Sequence, residues 1–131
     1  MRLPQIIIAA GLVVMVLLLL TPQRHPARYS SATEMTIHGT VTEARDFYCP
    51  ISGHEGTHLL VSTASGIVEV HVAPVRFLAE KQWQFYQGDT VDVSGSRILF
   101  HGHDALIART IARGNQTVAL RDTRGKPRWT E

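Results

Sequence analysis

Gly88–Arg113 reads GDTVDVSGSRILFHGHDALIARTIAR. Gly88-Asp89 is a turn pair, after which Val91 and Val93 alternate with Asp92 and Ser94, the period of a strand with one face buried. Gly95 breaks that alternation where a bulge or sharp bend belongs. Ile98 and Phe100 resume it, Gly102 marks a tight turn, and Ala105–Ile111 runs back as a second strand. The reading is a long, bent hairpin, a building block of a small closed barrel.

Working outward, Pro74–Trp83 (PVRFLAEKQW) is the one helical segment of the domain, with Pro74 suited to the first turn and Phe77 and Leu78 on its apolar side. Before it, Thr57–Thr63 and Ile67–Val72 are strands joined around Ala64-Ser65-Gly66, a short hairpin. Met35–Ala44 is a first strand bent at Gly39, and Phe47–Gly56, with Pro50 and Gly53, reads as an irregular loop. After the hairpin, Gly114-Asn115 turns into a short stretch of strand, Thr117–Arg121, and Asp122–Glu131 is a tail. Three strands, a helix and two more strands give an all-β domain over 35–131. The arrangement is that of a five-stranded OB-fold Greek-key barrel with one short helix between strands three and four. Its interior is expected to take Leu59, Val61, Val68, Val70, Val72, Val91 and Val93.

Ahead of the domain, Leu3–Thr21 holds 19 residues without a formal charge. That approaches the ~20 residues of a membrane-spanning helix and exceeds the roughly 7–15 of a signal-peptide core. No small-x-small cleavage pattern follows closely. Residues 1–22 are therefore expected to be an uncleaved signal anchor, a single-pass transmembrane helix, with 23–34 a juxtamembrane linker. The domain is then expected on the periplasmic side of a bacterial inner membrane, its partners the membrane itself and an envelope protein.

Residues 33–131 carry ten Lys/Arg against eleven Asp/Glu, a net charge near −1. That balance argues against a nucleic-acid partner, which calls for a basic domain. Arg109, Arg113, Arg121 and Arg124 nevertheless crowd the C-terminal third, and a polyanion or nucleic-acid binder through them stands as an alternative; the plainer reading is a solvated edge.

Several spaced runs resemble a known family: Gly56-Thr57-His58-Leu59, Val70-His71-Val72-Ala73-Pro74 with Phe77-Leu78, Val93-Ser94-Gly95-Ser96, Ala105–Arg109, Leu120-Arg121-Asp122 and Gly125-x-Pro127-x-Trp129. Over roughly 38–129 the chain is similar to small exported bacterial OB-fold domains of the MamS/MamX magnetosome type. The resemblance implies an OB fold, export and service in an envelope assembly, and it brings no catalytic residue. The haem-attachment motifs of some longer relatives are absent, since Cys49 is the only cysteine.

Between Phe47, Tyr48 and Pro50, Cys49 reads as a small buried hydrophobe in a plug over the barrel end. His54-Glu55-Gly56-Thr57-His58 spells H-E-x-x-H, yet a zinc protease needs both histidines one turn apart on a helix. Flanking glycines and the strand pattern from Thr57 deny it that helix. With Leu59, Val61, Val70 and Val72 inward, His58 and His71 face outward on adjacent antiparallel strands, one or two cross-strand positions apart. Together they could ligate zinc, copper or nickel, and His101-Gly102-His103 is a second, weaker pair. The outer face of strands two and three, where OB barrels take ligands, offers His58, Leu60, Ile67, Glu69 and His71. It lacks the aromatics and arginines of single-strand recognition and suits a protein contact or a capped apolar patch. No nucleophile–base or carboxylate pair can be placed by spacing. The reading is a non-enzymatic binding or assembly module without a cofactor, and the alternative is a divalent transition-metal module built on His58 and His71.

Overall fold

The alternation around Val91 and Val93 becomes β4 (Thr90–Phe100), and its partner β5 runs from His103 to Arg113. A computed structural model describes residues 27–129. Before this hairpin stand β1 (Glu34–Cys49), β2 (His54–Thr63), β3 (Gly66–Pro74) and a short helix α1 (Val75–Glu80); β6 (Gln116–Ala119) follows it. Neighbours run in the order β3-β2-β1-β4-β5-β6. A parallel pairing of Val70 with Leu106 and of His71 with Ile107 joins β3 to β5, so the sheet curls into an OB-like barrel.

The alternation drives the closure. Leu59, Val61, Val70 and Val93 are fully enclosed, and Val72 and Val91 nearly so, while Val68 is only partly buried. Leu106, Ile111 and Leu120 complete the interior, and Phe77 and Leu78 of α1 plug one end. Gly39 and Gly95 sit where strands cross most closely. A Cβ on Gly39 would lie 2.2 Å from the Ser62 carbonyl oxygen, and one on Gly95 2.1 Å from that of Ile107.

Four expectations need correction. The short strand expected at Thr117–Arg121 is present as β6, and its pairing with β5 makes the sheet six-stranded rather than five-stranded. The helix is shorter than Pro74–Trp83: it ends at Glu80, and Gln82 takes a positive φ of 56° that breaks the helical path. The supposed loop 47–56 is mostly strand: Phe47 pairs with Gly56 and Cys49 with His54, closing a β1–β2 arm through a turn at Pro50–Gly53. The linker is not free along its whole length. Residues 27–33 lie against the barrel, with the Ser30 N–H donating to Ser96 Oγ at 2.9 Å and Tyr29 seated on Gly125. The expected signal anchor lies outside the described residues; among those described, no helix is long and apolar enough to cross a membrane.

Candidate metal centre

A bulge in β1 decides what faces what. Between Val41 and Glu43 the register with β2 slips by one residue at Thr42. A one-residue slip exchanges the two faces of a strand. Ile37 and Val41 point into the barrel, whereas Phe47 and Cys49 beyond the bulge lie on its outer side, with His58 and His71. On that face His58 and His71 stand directly opposite one another in the β2–β3 register. Gly56, opposite Phe47, supplies no side chain to keep these groups apart.

Cys49, His58 and His71 converge here, one ligand atom of each lying within 4.8 Å of the others. Cys49 Sγ is 3.4 Å from His71 Nδ1. Each of the three residues is only 4% exposed. Phe47 stacks on His58 with ring centres 3.9 Å apart, the two imidazoles meet edge to face at 4.5 Å, and Phe100 closes on His71 at 4.6 Å. The cavity among them has room for about one water molecule or ion, and Gly56, Ile51, Arg121 and Trp129 also line it.

His58 and His71 point to the outer side, as expected, but that face is covered where they lie. The β1–β2 arm lies over them, and Ile98, Ala105 and Ile107 form a second, outer cluster covered by Ala27, Tyr29, Ile51 and Phe100. Leu60 and Glu69 are partly buried, and only Ile67 of the expected contact face is largely exposed. Cys49 is buried, as expected of it, but on the barrel's outer side rather than in a plug over its end.

Neither ring nitrogen of His58 has a hydrogen-bond partner, although both are buried. Buried polar atoms are nearly always paired, so a residue orphaned at both nitrogens calls for an explanation. Burial holds the His58 imidazole down at about 4, against a weaker upward pull from the Asp46 carboxylate. His71 is also lowered to about 4, chiefly by burial, with His58 and His101 adding to the effect. Both rings are thus neutral at pH 7 and keep a lone pair, the state that ligates metals. His71 Nε2 lies 3.6 Å from Glu69 Oε1. That is beyond a hydrogen bond, yet it places a carboxylate behind an imidazole whose Nδ1 faces the thiol, the outer-shell arrangement typical of metal-bound histidine.

These depressed values fix a pH response. The folded chain resists protonating His58 and His71 more than the unfolded chain does, so their contribution to stability is complete above about 6.5 and fades as pH falls toward 4. Urea midpoints of the metal-free chain are expected to drop across that window. A His58→Gln/His71→Gln chain should show a shallower drop; an identical profile would refute the assignment.

Of the remaining sequence candidates, Arg121 lines this cavity and His101 is near enough to act on His71. His54 begins β2, so His54 and His58 sit four residues apart on a strand, roughly 13 Å along it, and the protease geometry is absent. His101 and His103 are exposed at the β4–β5 turn. Among the arginines, Arg109 pairs with Glu34 at 2.8 Å, and Arg113 pairs with Asp89 at 3.0 Å while lying over Trp83. Arg124 is exposed. Arg121 is buried near the Tyr29 and Trp129 rings, with Nη1 donating to the Gly125 carbonyl at 2.9 Å. The four do not form one basic surface. Cys49 is the member of the cluster that residue spacing does not reveal. The signal for it was the alternation of Phe47 with Cys49, read as loop because of Pro50 and Gly53.

No curated protein matches the sequence. Among solved structures, a chain of the S. pombe Stn1–Ten1 complex is similar, at 16% identity and a TM-score of 0.48, over 63% of this chain and 59% of that one. The model of the MamS/MamX magnetosome protein family matches residues 33–118, a stretch that contains Cys49, His58 and His71. The chain belongs to the MamS/MamX magnetosome protein family.

Proposed function

We propose that this domain is a non-enzymatic metal-handling module that holds one transition-metal ion between Cys49, His58 and His71. The observation that carries the reading is His58, buried with both ring nitrogens unpartnered beside a buried thiol and a second imidazole. An ion accounts for all three residues at once. One thiolate and two imidazoles form a donor set for zinc or copper.

A Cys–His pair is also how a thiol nucleophile begins. A nucleophile has to meet its substrate, however, and Cys49 is enclosed; a Cys49–His71 pair would also leave His58 without a role. The uncharged run at Leu3–Thr21 supports tethering of the module to the inner membrane, on its periplasmic side. There it would exchange its ion with an envelope protein. Tyr48, 66% exposed and adjacent in the chain to Cys49, offers that partner an apolar contact.

Calorimetric titration of the full chain in detergent with Zn2+, Ni2+ and anaerobic Cu+ tests the proposal. One ion per chain is expected to bind tightly. Affinity should fall at least about a hundredfold in a His58→Ala/His71→Ala chain, more than loss of an outer-shell group brings about. Absence of binding, or binding untouched by the double substitution, would retire the site.

A further inference from the structure

We infer that the ion is monovalent copper, selected over divalent ions by the buried charge of Arg121. The inference rests on the metal-handling reading and adds the identity of the ion and the device that selects it.

Coordination number comes first. Among the described residues, the cluster offers three ligand atoms and no fourth His, Cys, Asp or Glu. Structural zinc sites close with four protein ligands, and catalytic ones complete the set with a water that meets solvent. Here Phe47 and Phe100 lie against the two imidazoles, and the cavity beside them takes about one water-sized body. A cluster of one sulfur and two nitrogens with no fourth protein donor suits a soft ion content with few ligands, and thiolate donors suit Cu(I).

Charge decides the rest. The Arg121 side chain lines the same cavity as Cys49, His58 and His71 and is 9% exposed. Its Nη1 donates to the Gly125 carbonyl, and its guanidinium carbon lies 5.8 Å from the Tyr29 ring centre and 5.0 Å from that of Trp129. Among the described residues, no carboxylate pairs with it. A thiolate with a monovalent ion is neutral overall and adds no charge to this wall. A thiolate with Zn2+ or Fe2+ leaves a net positive charge facing a buried guanidinium, where like charges are poorly screened. Fe2+ is disfavoured a second time by its low place in the divalent affinity order.

The test is competition for the ion in the full chain in detergent, kept anaerobic. Cu(I) is presented in a chromogenic Cu(I) chelator, and Zn(II) and Fe(II) in chelators of known affinity. One Cu(I) per chain is expected, bound at least about a hundredfold more tightly than Zn(II). Arg121→Gln should narrow that ratio about tenfold, mostly by strengthening Zn(II) binding, whereas Arg121→Lys, which keeps the charge, should narrow it less. Zn(II) binding as tight as Cu(I), or a ratio unmoved by Arg121→Gln, would overturn the copper assignment and leave the metal-handling reading standing. Failure to bind any of the ions would overturn both. The wild-type comparison decides the ion even where a substituted chain does not fold.

Discussion

A Cys49→Ala chain is expected to bind its ion at least about a thousandfold more weakly while folding much as before. The two halves of this expectation have separate causes. The thiolate is the only anionic donor of the cluster, and without it two neutral imidazoles face an ion beside a buried guanidinium. Bound ion stabilises the fold by mass action, about 4 kcal/mol at a free concentration a thousand times the Kd. For a domain of this size that raises Tm by more than about 15 °C. In the metal-free state Cys49 is a small buried hydrophobe, and removing its sulfur costs about 1 kcal/mol, a few degrees. Melting both chains with and without the ion therefore gives a large shift for the wild type and at most about 3 °C for Cys49→Ala. Equal shifts would mean that the ion sits elsewhere.

The second large effect belongs to the fold. A Gly95→Ala chain is expected to lose about 3 kcal/mol or more and to melt at least 12 °C lower, or to fail to accumulate as folded protein. The added Cβ would stand 2.1 Å from the Ile107 carbonyl oxygen and 3.0 Å from Ala108 Cα, both main-chain atoms of β5. Neither can rotate away, so the β4–β5 hairpin would have to part next to the register shift at Ser94/Gly95. The control is Gly88→Ala. Gly88 has a positive φ of 95° but nothing within 4 Å of the new Cβ, so its loss should stay near 1 kcal/mol. Comparable losses at the two positions would show that backbone freedom, not crowding between strands, sets the need for glycine at Gly95.

The barrel was legible because its signal is local and repeated. Val91 with Val93, Leu59 with Val61 and Val70 with Val72 each announce an inward face two residues at a time, and all six are enclosed in the interior. The bulge at Thr42 was not legible, because threonine gives no sign of the slip that a glycine would. That slip carried Phe47 and Cys49 to the outer face and turned an apparent loop into the arm over the centre. The opposition of His58 and His71 follows from the same alternation that buries Leu59 and Val70. Their burial does not follow, since period two reports which way a side chain points and is silent on what covers it. The cover comes from Phe47 on His58 and from Phe100, of another hairpin, on His71. Arg121 was equally hidden: it reads as one of a basic run, and only the turn to Gly125 and the nearby rings of Tyr29 and Trp129 draw it inside.

X-ray absorption at the copper edge of the loaded full chain tests the central claim most directly. Three ligands at Cys49, His58 and His71 predict one sulfur scatterer at about 2.3 Å and two imidazole nitrogens at about 2.0 Å, with the sulfur absent from Cys49→Ala. A coordination shell of nitrogen and oxygen alone in the wild-type chain would contradict the account.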